Sequence, residues 1–202
     1  MSKKIKIDEK LFNIIEKNSN ESFELTVRRY YDETKPLYVI TKETQDLRLK
    51  QHLCNYLIIR SVGFLENVLK KAFIIQIDSH NANFDADVTL SLKDLRNLRE
   101  TTQFTNGEII SNNLNFQDFY EINKNFSKLT NRDYLKELRQ AYDKQYKNFS
   151  NDYKSILELI DERHRIVHDL QNTSFTSTQI MDMDTKVIAI LHITLDILFI
   201  KN

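Results

Sequence analysis

Between Glu162 and Asp169 the sequence sets Arg163, His164, Arg165 and His168 at the end of an apolar helical pattern. An imidazole titrates near pH ~6.5, so His168 can act as general base or general acid close to neutrality. An arginine keeps its proton and presents a planar fork of donors, which suits Arg163 to hold the nonbridging oxygens of a phosphate as charge builds there. His164 precedes His168 by one helical turn, making the two imidazoles neighbours. It is a second candidate for proton transfer or a substrate contact. At about 100° per residue, Ile156, Leu159, Ile160, Ile166 and Val167 share one arc. Arg163 falls inside that arc and His168 at its edge, so both are expected to face packed protein or a cleft. A charge on an apolar seam costs free energy unless it is partnered or functional. Arg165 points elsewhere and is expected to pair with Asp169 on the surface. The bland alternative is a satisfied polar cluster inside a helical bundle.

Other chemistries fit less well. His164 and His168 have the spacing of the zincin metal motif, but Arg165 stands where that motif needs Glu. His168-Asp169 matches the doublet of HD-type phosphohydrolases, which also require an upstream His and a distal Asp as metal ligands. His52 and Asp196 are the residues available for those roles. With Gly63 and Gly107 the only glycines, a phosphate-cradling P-loop or a Rossmann fingerprint is excluded. Cys54 has no local partner that would make it a nucleophile. No metal and no cofactor is expected.

The elements that hold these residues should be helices. The chain has 202 residues with 2 Gly and 1 Pro, too few turn-formers for a many-stranded sandwich or barrel. It suits one domain with a small N-terminal addition. Lys and Arg total 29 and Asp and Glu 29, so there is no global field for a polyanion, and nucleic-acid binding must use a local patch. Arg28-Arg29, Lys70-Lys71 and Arg96 with Arg99 are candidates, each also readable as a solvated helix face. The single cysteine excludes an internal disulfide framework and fits a reducing, cytoplasmic setting. Met-Ser-Lys-Lys lacks the apolar stretch of a signal peptide. Val187 to Ile200 is apolar but shorter than the roughly 20 residues of a membrane span and carries His192 and Asp196, so a buried core helix is expected.

Along the chain, Asp8 to Lys17 reads as a short amphipathic helix and Ser22 to Thr34 as a second helix or a strand, with Pro36 as a break. Leu37 to Thr41, β-branched and aromatic, reads as a possible short strand. Residues 1–44 therefore form an extension of open structure and role, and 45–202 the helical domain. From Gln45 to Ile77 the sole breaker is Gly63, and apolar residues cover nearly every face from Tyr56 onward, which predicts a long, mostly buried central helix. A glycine there costs about 1 kcal/mol relative to alanine, which suggests a close helix crossing. Tyr56 is assigned to the core. Asp78 to Asp87 is a polar connection, Ser91 to Thr101 a charged helix, and Thr105-Asn106-Gly107 a turn. Asn115 to Phe126 and Arg132 to Tyr146 are amphipathic, Ser150-Asn151-Asp152 caps the motif helix, and Asn172 to Thr178 is a loop into the last helix.

Two stretches carry a family resemblance. Arg163, polar His164, three further residues and His168, late in a helix, resemble the signature of the HEPN superfamily, many of whose members are metal-independent ribonucleases. The apolar helix with an embedded acid, Tyr56 to Lys70 with Glu66 inside it, is similar to that superfamily's long central helix. The Asn-rich Ser111 to Phe116 falls between the two, as in the RiboL-PSP-HEPN subgroup. The resemblance extends over about Gln45 to Ile200. It implies an all-α bundle with a long central helix, and an endoribonuclease in which the RNA's own 2′-OH attacks, leaving 2′,3′-cyclic phosphate and 5′-OH ends. It implies a homodimer with Arg163 and His168 of both chains lining one groove, and a role as a toxin or antiphage effector with an antitoxin or other defence protein as partner. Glu66 is then either a buried group that orients Arg163 or His168, or an i,i+4 surface partner of Lys70. Asn67 and Arg60, on the same helix, are further candidates for the cleft. The alternative is a non-catalytic helical module that binds RNA, a nucleotide or a partner protein.

Overall fold

A computed structural model describes residues 23–80 and 105–200 of the chain. They form α1 (Phe23–Glu43), α2 (Leu47–His80), α3 (Asn106–Ser111), α4 (Phe119–Thr130), α5 (Tyr134–Gln145), α6 (Phe149–His168) and α7 (Ser177–Leu195), which runs into a π-helical turn, Asp196–Ile200. No strand forms among the described residues. The all-α expectation holds, as does that of a long central helix. At 34 residues, α2 is about 50 Å long and packs against α1, α3, α6 and α7. Leu57, Ile58, Val62, Leu65, Val68, Leu69, Ala72 and Phe73 are buried along it, because neighbours cover it on several sides. Most of α7 from Val187 to Leu195 is likewise buried. Among the described residues, no helix is long and apolar enough to cross a membrane.

Aromatic residues fill the junctions between helices. Phe73 of α2 meets Phe116 and Phe126 edge-on at centroid distances of 5.6 and 5.9 Å, a favoured geometry for ring pairs. Tyr134 is fully buried and its hydroxyl shares a 2.7 Å hydrogen bond with Thr194 Oγ1. That bond satisfies a polar tip that would otherwise be costly in the core.

Several local expectations change. Phe23 to Glu43 is one continuous helix, with Pro36 inside it and Leu37 to Thr41 helical rather than extended. Proline removes the hydrogen bond to the carbonyl four residues back, but here that residue, Asp32, is exposed, as is Pro36 itself, so water can serve the carbonyl. Tertiary contacts hold the segment: Val27 and Tyr30 lie in the core shared with α2 and α7, and Thr41 Oγ1 donates to the Leu37 carbonyl. Thr105 is no simple turn residue but the N-cap of α3, in a reciprocal capping box with Glu108. Tyr56, assigned to the core, is 46% exposed. The expected helices Asp8–Lys17 and Ser91–Thr101 lie outside the described residues, as do Arg96 and Arg99.

One buried acid ties three helices together. Asp184 of α7 is 5% exposed and accepts 2.6 Å hydrogen bonds from the hydroxyls of Tyr30 and Tyr38 on α1. Tyr30 Oη also lies 3.1 Å from Ser61 Oγ on α2. Burial pushes the Asp184 carboxyl up from its ordinary value, against the lowering effect of its hydroxyl neighbours. Both phenols are pushed up as well, first by burial and then by Asp184. A carboxyl raised on folding contributes stability that is complete below its unfolded value, 3.8 for Asp, and is lost as pH rises through its folded value. Asp184→Asn keeps an acceptor oxygen without the titration. The urea midpoint of the wild type is therefore expected to fall more steeply with rising pH above about 4 than that of the variant. Equal slopes would show that Asp184 does not titrate differently on folding.

Candidate functional site

The motif helix α6 starts by a sharp reversal. Asn148 occupies the left-handed region at φ 85° and makes no side-chain cap. The first amide, of Phe149, donates instead to Asp143 Oδ1 of α5 at 2.7 Å. Ser150 to Asp152 thus do not cap the helix. Asp152 accepts from Tyr142 Oη at 2.9 Å and lies 3.6 Å from Lys186 Nζ of α7. Ile156, Leu159 and Ile166 are buried as their spacing predicts, Ile160 is half-buried, and Val167 is 41% exposed.

Arg163 faces inward, as its place on the arc requires. Its Nη1 donates to Gln117 Oε1 at 2.6 Å, and its Nη2 lies 3.8 Å from Glu66 Oε2 of α2, both side chains being about one-fifth exposed. The Gln117 amide oxygen and the Glu66 carboxylate therefore orient the guanidinium and offset part of the cost of moving its charge away from water. Burial raises the Glu66 carboxyl from its usual value, while Arg163 and then Lys70 pull it back. Lys70 donates to Asn112 Oδ1 at 2.7 Å. Glu66 thus lies beside Arg163, with Lys70 one helical turn further along α2.

His164 and His168 are exposed, so of the two surroundings expected for His168, packed protein or a cleft, packed protein does not apply. Their rings lie side by side with centroids 4.4 Å apart and planes 38° apart. Arg165 turns back to form an ion pair with Glu162, not with Asp169. Glu162 is 2% exposed and also accepts from the Ser174 amide at 3.2 Å, so it fastens the segment that follows the helix. Leu170 adopts a left-handed conformation at φ 53°, and the Asp169 and Gln171 amides both return to the Arg165 carbonyl, closing the helix end. From α2, Gln51 donates to the Thr173 carbonyl at 2.6 Å and Asn55 Oδ1 accepts from the Thr173 amide at 3.0 Å. The end of α6 that carries both histidines is thereby pinned to the central helix.

Beside Arg163 lies a pocket of about 320 Å³, walled by Gly63, Glu66, Asn67 and Lys70 of α2 and by the loop Leu114, Asn115, Phe116 and Gln117. Both partners of Arg163 are thus walls of this pocket. The structure brings Arg163, Glu66 and Asn67 to one place. It does not bring Arg60 there: that residue forms an ion pair with Glu33 of α1. Gly63 marks no helix crossing either, since a Cβ built on it would meet nothing within 4 Å. Its missing side chain leaves pocket space open. Gly63→Ala is accordingly expected to raise stability by up to ~1 kcal/mol through helix propensity while narrowing the pocket. A urea titration showing a loss of stability would contradict the open space seen there.

Gln117 and Glu162 were not among the candidates. Gln117 reaches Arg163 across 46 residues of sequence, and nothing local announces it. Glu162 had a signal: it stands three residues after Leu159 and four before Ile166, both buried, so an acid there needed a partner. Among the described residues no group of three or more His, Cys, Asp or Glu side chains is placed to hold a metal ion, so His52, His168, Asp169 and Asp196 do not assemble as the phosphohydrolase alternative requires.

No curated protein and no solved structure matches the sequence. The family model for RiboL-PSP-HEPN matches residues 3–198, which includes the segment before Gln45 where the sequence showed no resemblance. With nearly the whole chain matched, and with the helical bundle and long central helix that such a family implies, the chain belongs to the RiboL-PSP-HEPN family, a family of HEPN proteins.

Proposed function

We propose that the protein is a metal-independent endoribonuclease. The observation that supports this most is Arg163, a guanidinium oriented by Gln117 and Glu66 at the edge of a pocket, on the same helix as two solvent-open imidazoles in contact. HEPN families include many ribonucleases, and membership makes RNA the natural substrate class. In the proposed reaction the 2′-OH next to the scissile phosphate loses its proton to an imidazole, and its oxygen attacks phosphorus. Arg163 holds the nonbridging oxygens as negative charge accumulates. The 5′-oxygen leaves and takes a proton from a protonated imidazole, giving a 2′,3′-cyclic phosphate and a 5′-OH. His168 carries one of these transfers, with His164 as the second proton-transfer group or a contact to the substrate.

A single helix places Arg163 inward and His168 outward, so a second copy related by a two-fold axis is the economical way to complete the site. We assign the working unit as a homodimer with Arg163 and His168 of both chains along one groove. Its biological setting, in the cytoplasm as a toxin or antiphage effector held by an antitoxin or another defence protein, follows from what HEPN ribonucleases commonly do. The test is an RNA carrying a single 2′-deoxy residue at a mapped cleavage site. Loss of cleavage at that site alone supports attack by the 2′-OH; undiminished cleavage there would require another nucleophile and overturn the mechanism.

A further inference from the structure

The pocket beside Arg163 has a chemistry of its own. At about 320 Å³ it falls within the ~300–1,000 Å³ of small-ligand sites. Its apolar lining is the bare backbone of Gly63 with Leu114 and Phe116, and its polar lining includes Glu66 and Lys70, one helical turn apart. Glu66 is only one-fifth exposed, yet it accepts no hydrogen bond from the described residues, and at 3.8 Å its contact with Arg163 is longer than one. Lys70 uses one of its three N–H groups on Asn112. The pocket therefore presents a carboxylate with open acceptor sites beside an ammonium with open donors.

We infer that this pocket receives a guanine base of the RNA, held next to the phosphate that Arg163 grips. Guanine alone among the four bases presents two adjacent donors, N1–H and the 2-amino group, which match the two oxygens of a carboxylate, with an acceptor, O6, beside them. Glu66 takes the two donors and Lys70 donates to O6. Bidentate pairing of this kind adds geometric selectivity as well as affinity. Adenine, cytosine and uracil each leave one carboxylate oxygen unpaired in a partly desolvated site, which costs them affinity. Recognition of an unstacked base through its Watson–Crick edge is the usual route to sequence preference on single-stranded RNA.

The assignment to RNA rests on the ribonuclease reading; the choice of guanine rests on the pocket. Titration of the full chain by calorimetry with the four 5′-monophosphates, and with 2′-O-methyl trinucleotides bearing G or A at the centre, separates the two. GMP is expected to bind at least about tenfold tighter than AMP, CMP or UMP, the G-centred trinucleotide to bind tighter than GMP, and Glu66→Gln to erase the preference while the melting temperature is kept. Equal binding of all four nucleotides by a protein that cleaves RNA would overturn the guanine pocket and leave the ribonuclease standing. Guanine selectivity without cleavage of any RNA would keep the pocket and remove the enzyme. Binding of GMP as tight as that of the trinucleotide would overturn the RNA assignment in favour of a free guanine nucleotide.

Discussion

Arg163→Ala is expected to lower the rate of RNA cleavage by about 10³-fold while the protein remains folded. The guanidinium supplies charged donors where the phosphorane develops its charge, and loss of even one such donor commonly costs 10²–10³-fold. Arg163→Lys should recover only a small part, because a lysine cannot reproduce a planar fork held at once by Gln117 and Glu66. The stability cost should be about 1–2 kcal/mol, since Glu66 and Gln117 lose a partner but lie close enough to the pocket to be hydrated. Single-turnover rates beside melting curves make the comparison. A variant that melts like the wild type and cleaves at a similar rate would remove Arg163 from the site.

Gly107→Ala is expected to destabilise the protein by about 2 kcal/mol and to weaken the site from a distance. A Cβ at Gly107 would lie 2.7 Å from the Ile74 carbonyl oxygen and 2.9 Å from Ile74 Cα. These are backbone atoms of α2, so no rotamer change relieves the contact and α3 must lift away. The gain in helix propensity, about 1 kcal/mol, offsets only part of that. The Gly107 amide would also lose its 2.8 Å bond to Asp78 Oδ1. The chain leaving α3 carries Asn112, which holds Lys70, and then the Leu114 to Gln117 wall of the pocket. A shift at Gly107 therefore reaches the partner of Arg163. A urea midpoint equal to that of the wild type would mean that α3 can accommodate the methyl group where it sits.

The two glycines show what a single sequence can and cannot reveal. Gly63 was visible as a break in a helical pattern and Gly107 as part of a turn, but the physical role of each depends on what packs opposite. Gly63 was expected at a crossing and stands at open space, whereas Gly107, taken for a turn residue, makes the close approach. Period and composition were enough for the helical class, the long buried α2 and the inward placement of Arg163, because those depend on local spacing of apolar residues. Leu37 to Thr41 misled because β-branched composition is a weak local preference, and anchoring of α1 through Tyr30 and Tyr38 to Asp184 outweighs it. Arg60 and Glu66 look alike from sequence, a charged residue on one helix six positions apart, but Arg60 meets Glu33 of α1 and Glu66 meets Arg163. Such pairings between distant segments leave no trace in the spacing of either partner. The same holds for Gln117, whose role emerges only when its loop is laid beside α6.

The most direct measurement is to incubate purified wild type and His168→Ala with total RNA in excess chelator and to analyse the fragment ends. Fragments ending in 2′,3′-cyclic phosphate and 5′-OH are expected from the wild type, with the variant at least about 10²-fold slower and unchanged in its melting temperature. Equal cleavage by both proteins, or no cleavage by a wild type shown to be folded, would contradict the assignment of an RNA-cleaving site to Arg163 and His168.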